Sequence, residues 1–234
     1  MQVTTTGSIK KARRDRSAGN EARRQHLIDA TIESIAKYGF SRTTLSTVTS
    51  IAKTSHGIIN FHFQSKDQLL LEAMKFLVNE HLTHWRTGLA NASHSPAEQL
   101  VALISTDFDA KIIAPKRLAV WFAYWGEVNN RAEYREIADS KDRERNEQIK
   151  LLCEALKKSG HYAHVDSAVF ATNLEAIIDG LWLHLLLLPK DISAHRAKQN
   201  CLTFLSSVFP KHFALSGSDQ VTLTPSDHTQ EITL

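Results

Sequence analysis

Two cysteines, Cys153 and Cys201, stand in a chain of 234 residues. Each falls in a helical pattern, so no disulfide framework holds this fold and the natural reading is two reduced thiols in a cytoplasmic protein. A secretory leader is not expected, because the basic N-terminus has no apolar run behind it. The densest apolar stretch, residues 177–188, is interrupted by Asp179 and Gly180 and stops at Pro189, too short to span a bilayer. Internal repeats are absent, and strand-like alternation is confined to the last twenty residues. Enzyme signatures are missing too, with no glycine-rich phosphate loop and no nucleophile elbow. His81 and His84 are three apart without a carboxylate at ligand spacing, and His161 with His164 sits at a helix break. Catalysis, a metal site and a cofactor are therefore not expected.

Charge is unevenly placed. Of a net +3, residues 1–24 carry +5: Lys10, Lys11, Arg13, Arg14, Arg16, Arg23 and Arg24 against Asp15 and Glu21, which leaves −2 for the rest. Such a segment neutralises phosphates when it lies beside a DNA-reading element. That element is residues 44–70. Thr44 can cap a helix whose Leu45, Val48, Ile51 and Ala52 fall at the spacing of one buried face. After Lys53 and Thr54, Ser55 begins a second helix through Phe61, too short to stand alone. Ser65 then caps a third helix, with Gln68 at the capping-box position. Helix, tight turn, short helix, helix is the helix-turn-helix arrangement.

Ala52, Ser55, Gly57, Phe61, His62, Phe63, Ser65, Lys66, Leu69 and Leu70 stand at the spacing of the DNA-binding domain of TetR-like regulators, and the chain resembles that family here. Lys53, Thr54 and Asn60 depart from it, standing where the family usually has glycine, valine and tyrosine. By position His56, Ile58 and Asn60 face base edges: Asn pairs with adenine and Ile with a thymine methyl. The resemblance implies phosphate contacts for Ser55, Phe61, His62 and Lys66, and for Thr44 at a helix N-terminus, with Gly57 also among the DNA-binding residues.

The remaining pattern predicts an all-α protein of about nine helices. A disordered basic arm is expected over 1–20, a helix-turn-helix domain over 21–65, a helical ligand-binding and dimerisation domain over 66–213, and a disordered tail over 214–234. Helices are expected over 21–38, 66–89, 96–113, 115–130, 132–159, 166–188 and 194–213. The helix over 166–188 is apolar all round in its last turns and has to be covered. Together with Ala197, Cys201, Phe204, Leu205, Val208 and Phe209 of the next helix it predicts a four-helix homodimer interface.

Phe108-Asp109, Trp121 to Trp125 and 178–183 are similar to the BetI branch of the family, the choline-responsive repressors of glycine betaine synthesis. That likeness covers about 21–210. It implies a dimeric repressor released from a palindromic operator by a choline-like cation held among Phe108, Asp109, Trp121, Trp125 and Trp182. Ring faces and diffuse negative charge recognise a quaternary ammonium at about 0.5–2 kcal/mol per contact. The alternative is a regulator sensing a lipophilic or multidrug ligand, whose carboxylates would point away from the cavity.

Overall fold

The computed structural model describes residues 5–127, 131–216 and 220–224. Among them are nine helices: α1 Thr5–Tyr38, α2 Leu45–Ala52, α3 His56–His62, α4 Lys66–Asn91, α5 Pro96–Asp107, α6 Pro115–Glu127, α7 Ala132–Gly160, α8 Ser167–Leu187 and α9 Ala194–Val208. The all-α expectation holds for these residues apart from one short hairpin.

Four boundaries depart from the sequence reading, one of them the end of α9, which stops at Val208 instead of 213, where Phe209 leaves helical geometry. Helix α1 begins at Thr5, so most of the expected disordered arm is helical. Its Lys, Arg and Ala are good helix formers, and that propensity outweighs two glycines, Gly7 and Gly19, the latter in open surroundings. Residues 17–20 are nonetheless exposed; residues 1–4 of the expected arm lie outside the described residues. At the other end, part of the expected disordered tail pairs as β1 Phe213–Ser216 with antiparallel β2 Gln220–Leu223, in the register Phe213↔Leu223 and Ser216↔Gln220. Phe213 is buried and anchors it; residues 225–234 of the expected tail are outside the described residues. Helix α5 stops at Asp107 instead of 113, where Phe108 leaves helical geometry and Asp109 closes a turn by accepting the Lys111 N–H at 2.9 Å.

Two compact units divide the chain: Met1–Leu77 with Ala119–Tyr134, and Val78–Leu118 with Arg135–Leu234. Helices α4, α6 and α7 run from one into the other. The first unit's core is Leu27, Ile28 and Ile35 of α1, Val48 and Ala52 of α2, Ile59 and Phe63 around α3, and Leu69, Leu70 and Met74 of α4. An aromatic triangle closes its base. Phe40, Tyr124 and Tyr134 meet edge to face at 5.6–6.0 Å, and the Tyr124 hydroxyl donates to the Leu70 carbonyl at 2.6 Å. Burial pushes the Tyr134 phenol up to about 12.

In the second unit, α8 and α9 pack against each other, with the Phe170 ring stacked on Phe204 and edge-on to Phe209. Asp166 caps α8 by accepting from the N–H groups of Ala168 and Val169. The end of α7 uses two residues in different ways. The backbone reverses at His161, φ 59°, and not at Gly160, which stays helical and is required there for space, since a Cβ would overlap the Tyr162 ring. Cys153 and Cys201 are both buried free thiols.

Helix α8 is also long and apolar enough, by length and composition, to cross a membrane, which the apolar run 177–188 alone is not. A core helix passes the same test. Only 33% of its apolar window is buried within the chain, so Val169, Ala176, Gly180, Leu183 and Leu187 form an open stripe. Of the six α9 residues expected to share that stripe, Ala197, Cys201, Leu205 and Phe209 are fully buried within the unit, while Phe204 and Val208 are half-buried. The exposed face of α9 is polar, with Arg196, Asn200, Thr203 and Ser207.

Candidate nucleic-acid interface and effector site

Helix α2 begins at a complete capping box: the Thr44 hydroxyl accepts the Thr47 N–H and the Thr47 hydroxyl accepts the Thr44 N–H. It ends at Lys53 in left-handed geometry, φ 51° and ψ 46°. Ser55 then stands at the N-cap of α3 with no side-chain cap bond. Seven residues cannot hold a helix without tertiary support, and Ile59, at 0% exposure, with Phe63 behind it supplies that support. Arg24 lies over the Phe63 ring at 5.4 Å and pairs with Glu72 of α4, which also accepts from Lys75 at 3.0 Å. Burial disfavours the Glu72 charge, but the Lys75 and Arg24 cations outweigh it and hold its carboxyl below the usual range.

With those two apolar anchors turned inward, the opposite face of α3 is open. His56, Gly57, Ile58, Asn60 and Phe61 are all exposed, Phe61 at 71%. His62 is half-buried with its ring edge-on to Phe61 at 5.1 Å, and Ser46 reaches the His56 ring at 3.4 Å. Gly57 is informative. Its φ is not positive, and an added Cβ would meet only the Ser55 hydroxyl at 3.8 Å. Nothing within the chain demands glycine there, although glycine inside a helix costs about 0.8–1 kcal/mol relative to alanine. Thr44 is exposed at the start of α2, and Ser65 caps α4 through the Gln68 N–H at 3.1 Å with Lys66 in its first turn.

The predicted ligand residues are distributed differently from expectation. Trp121 and Trp125 belong to the first unit: Trp121 is buried, and Trp125 is half-buried edge-on to Phe122 at 4.9 Å. Phe108, Asp109 and Trp182 belong to the second. Phe108 is buried. Asp109 has a side chain 42% exposed, caps its own turn and stands 3.8 Å from His84.

The carboxylate gathered with Trp182 is Asp107, two residues earlier. Trp182, 1% exposed, donates its indole N–H to the Asp107 carbonyl at 2.9 Å. The Asp107 carboxylate meets His81 Nε2 at 3.0 Å through one oxygen and the Arg145 guanidinium through the other. Arg145 continues to Glu175 at 3.2 Å, and Asn146 donates to the same carboxylate at 2.8 Å. His81 and Trp182 meet edge to face at 5.5 Å. Four helices, α4, α5, α7 and α8, thus deliver one buried charged cluster. Cys201 of α9 senses it: burial, reinforced by the Asp107 charge, pushes its thiol up to about 12.

Sequence reasoning set His81 aside for want of a carboxylate at local spacing, since its partner lies 26 residues away. Arg145 was hidden in a charged helix. Among the described residues no group of three metal-ligating side chains comes together.

Comparison with known proteins places this architecture. Residues 27–73 match the profile of the tetR family of bacterial regulatory proteins, and residues 96–210 that of the BetI-type transcriptional repressor C-terminal domain. The HTH-type transcriptional regulator BetI of Burkholderia thailandensis is 33% identical over 163 residues, 70% of this chain and 81% of the relative. BetI 1 of Chromohalobacter salexigens is 30% identical over 177 residues, 76% and 85%. A solved transcriptional regulator of Pseudomonas aeruginosa PAO1 superposes with a TM-score of 0.73 at 26% identity, covering 81% of this chain and 91% of that one. One from Saccharomonospora viridis, solved in complex with choline, gives 0.71 at 23% identity, covering 78% and 95%. The chain belongs to the TetR family, and within it is a BetI-type DNA-binding transcriptional regulator.

Proposed function

We propose that the protein is a cytoplasmic homodimeric repressor that lays α3 in the major groove at each half of a palindromic operator. The exposed, glycine-containing face of α3 carries this reading, since Asn60 stands open to solvent, His56 is exposed with Ser46 at its ring, and no contact inside the chain calls for the bare backbone at Gly57. His56, Ile58 and Asn60 read bases; Thr44, Ser55, Phe61, His62 and Lys66 hold phosphates. The open stripe on α8 is covered by a second copy, which sets the two recognition helices about one DNA turn, roughly 34 Å, apart.

The effector is a choline-like cation recognised at the buried cluster around Trp182. Three carboxylates, Asp107, Glu175 and Asp179, act on the one guanidinium of Arg145 there, with the Trp182 ring alongside. The BetI relatives and the choline bound by the Saccharomonospora structure support the same class. A lipophilic effector is the second reading, favoured by one observation: Asp107 is already paired with both Arg145 and His81, and so recognises less charge than an open carboxylate.

Ligand releases DNA only by binding the non-reading state better, so DNA weakens ligand by the same factor. Calorimetry of choline on the free dimer and on its DNA complex tests this. Weaker binding to the complex, lost in Trp182→Ala, is expected. Equal affinities, or no heat with either form, exclude choline as the effector.

A further inference from the structure

The turn between α2 and α3 fixes how the recognition helix is presented, and here it is built on an unfavourable residue. Lys53 holds φ 51°, a left-handed conformation that glycine adopts freely and that costs other residues about 1–2 kcal/mol. Its own helix supplies part of the restraint: the N–H groups of Lys53 and Thr54 both donate to the Thr49 carbonyl, the latter at 3.1 Å. Side-chain packing supplies little, because a groove of about 330 Å³ lined by Arg23, His26, Lys53, Thr54 and Ile58 opens beside the turn. A third restraint arrives from α1. His26 Nε2 stands 3.0 Å from the carbonyl of Ala52, the residue immediately before Lys53. A carbonyl only accepts, so the His26 proton must be on Nε2, and the bond closes one of the carbonyls that α2 leaves open at its end.

We propose that His26 is a positioning residue for DNA recognition: it pins the strained α2–α3 turn in the one geometry that presents α3 to the groove. Without the pin, Lys53 relaxes toward ordinary backbone conformations and only a fraction of molecules carries the competent turn. Affinity for a read sequence then falls by that fraction. Contacts to phosphate from the basic segment do not depend on the angle of α3, so affinity for unread DNA stays as it was. The inference rests on the reading of α3 as the recognition helix.

The test uses the full chain and two 24-base-pair duplexes, one selected by the wild-type protein from a random pool and one unrelated. His26→Leu fills the space without a donor and is expected to lose about fivefold on the selected duplex, on the scale of one hydrogen bond, and less than twofold on the unrelated one. His26→Gln, which restores an N–H of similar reach, and Lys53→Gly placed on His26→Leu, which removes the strain, are each expected to recover the selected duplex to within twofold of wild type. Equal losses on both duplexes, or no recovery in either rescue variant, overturn the inference while leaving α3 as the reader. A wild-type protein that selects no sequence overturns the reading of α3 and the inference with it. Should His26→Leu unfold, His26→Ala takes its place with the same outcomes: a loss confined to the selected duplex and recovered by Lys53→Gly supports the inference, and equal losses on both duplexes or no recovery overturn it.

Discussion

The open face of α3 and the cluster around Asp107 treat polar groups in opposite ways. On α3, His56 and Asn60 are solvent-exposed and Ser55 leaves its cap bond unmade. Around Asp107, each charged side chain is turned inward and bonded to another: Asp107 to His81 and Arg145, Arg145 to Glu175, Glu175 to Asn146. Water pays for neither arrangement equally. Exposed groups cost the fold almost nothing and remain available to an outside partner. Buried ones are tolerated only while paired, so a ligand that enters must exchange one set of partners for another.

Breaking a buried pair gives the largest expected effect. Arg145→Ala leaves the buried Asp107 carboxylate with His81 alone and Glu175 with Asn146 alone, and a loss of about 3 kcal/mol is expected in urea unfolding. Asp107→Asn is milder because it removes the charge that Arg145 balances while Glu175 remains. If Arg145→Ala unfolds at the wild-type urea concentration, the cluster is hydrated and the contrast with α3 disappears.

Asn60→Ala is the mirror experiment. Stability should move by less than about 0.5 kcal/mol, as for other surface substitutions, while discrimination at one base pair in each half-site falls by about 1–3 kcal/mol. Binding titrations against single-base variants of a selected duplex measure it. A uniform loss across all variants would reassign Asn60 to phosphate.

The contrast between the regions also explains what was legible in the sequence. A helix-turn-helix is local: Thr44, Ser55, Gly57 and Ser65 lie within 22 residues, and helix bounds 45–52 and 56–62 follow from capping and apolar spacing. The cluster is not local. Asp107 joins His81 26 residues before it, Arg145 38 after and Trp182 75 after. No periodicity shows such pairings, and the family likeness pointed to Asp109 beside Phe108, not to Asp107. The same limit hid the interface face. Periodicity identified an apolar side on α9 but not what covers it, and Leu205 with Phe209 turn out to face the chain's own core. Charge substitutions on the open α8 stripe, such as Leu183→Glu, are therefore the ones expected to yield folded monomers in light scattering. The helical N-terminal segment was missed for another reason: polarity was weighed above the helix propensity of Lys, Arg and Ala.

Gly57→Ala sharpens the comparison further, because its two effects have opposite signs. Its φ is compatible with alanine and its surroundings are open, so the fold should gain about 0.4–1 kcal/mol through the unfolded chain's lost freedom. Binding to selected DNA should nonetheless weaken, since the added methyl stands on the face presented to the duplex. A variant that is more stable and binds equally well would mean that the bare backbone has no outside partner.

The smallest effect concerns another paired histidine, His212, which lies between α9 and β1 against the end of α7. His212 Nε2 meets the Ser159 hydroxyl at 2.9 Å and its Nδ1 meets the Tyr162 hydroxyl at 3.1 Å, while the Lys211 N–H donates to the same Tyr162 oxygen at 2.7 Å. Burial, with the Lys211 charge adding to it, holds the His212 imidazole below its ordinary 6.5. A depressed folded value means that the unfolded chain binds the proton more readily. The stability contributed here is present in full above pH 6.5 and is lost as pH falls from there through the folded value. Unlike the buried charges around Asp107, this group is partly open to water, so the loss is small and confined to its neighbourhood. Amide exchange at Gly160 to Tyr162 and at Phe213 should quicken between neutral pH and pH 5 after correction for the intrinsic rate, and His212→Gln should flatten that dependence. Identical corrected profiles in the two proteins would show that His212 does not carry the loosening.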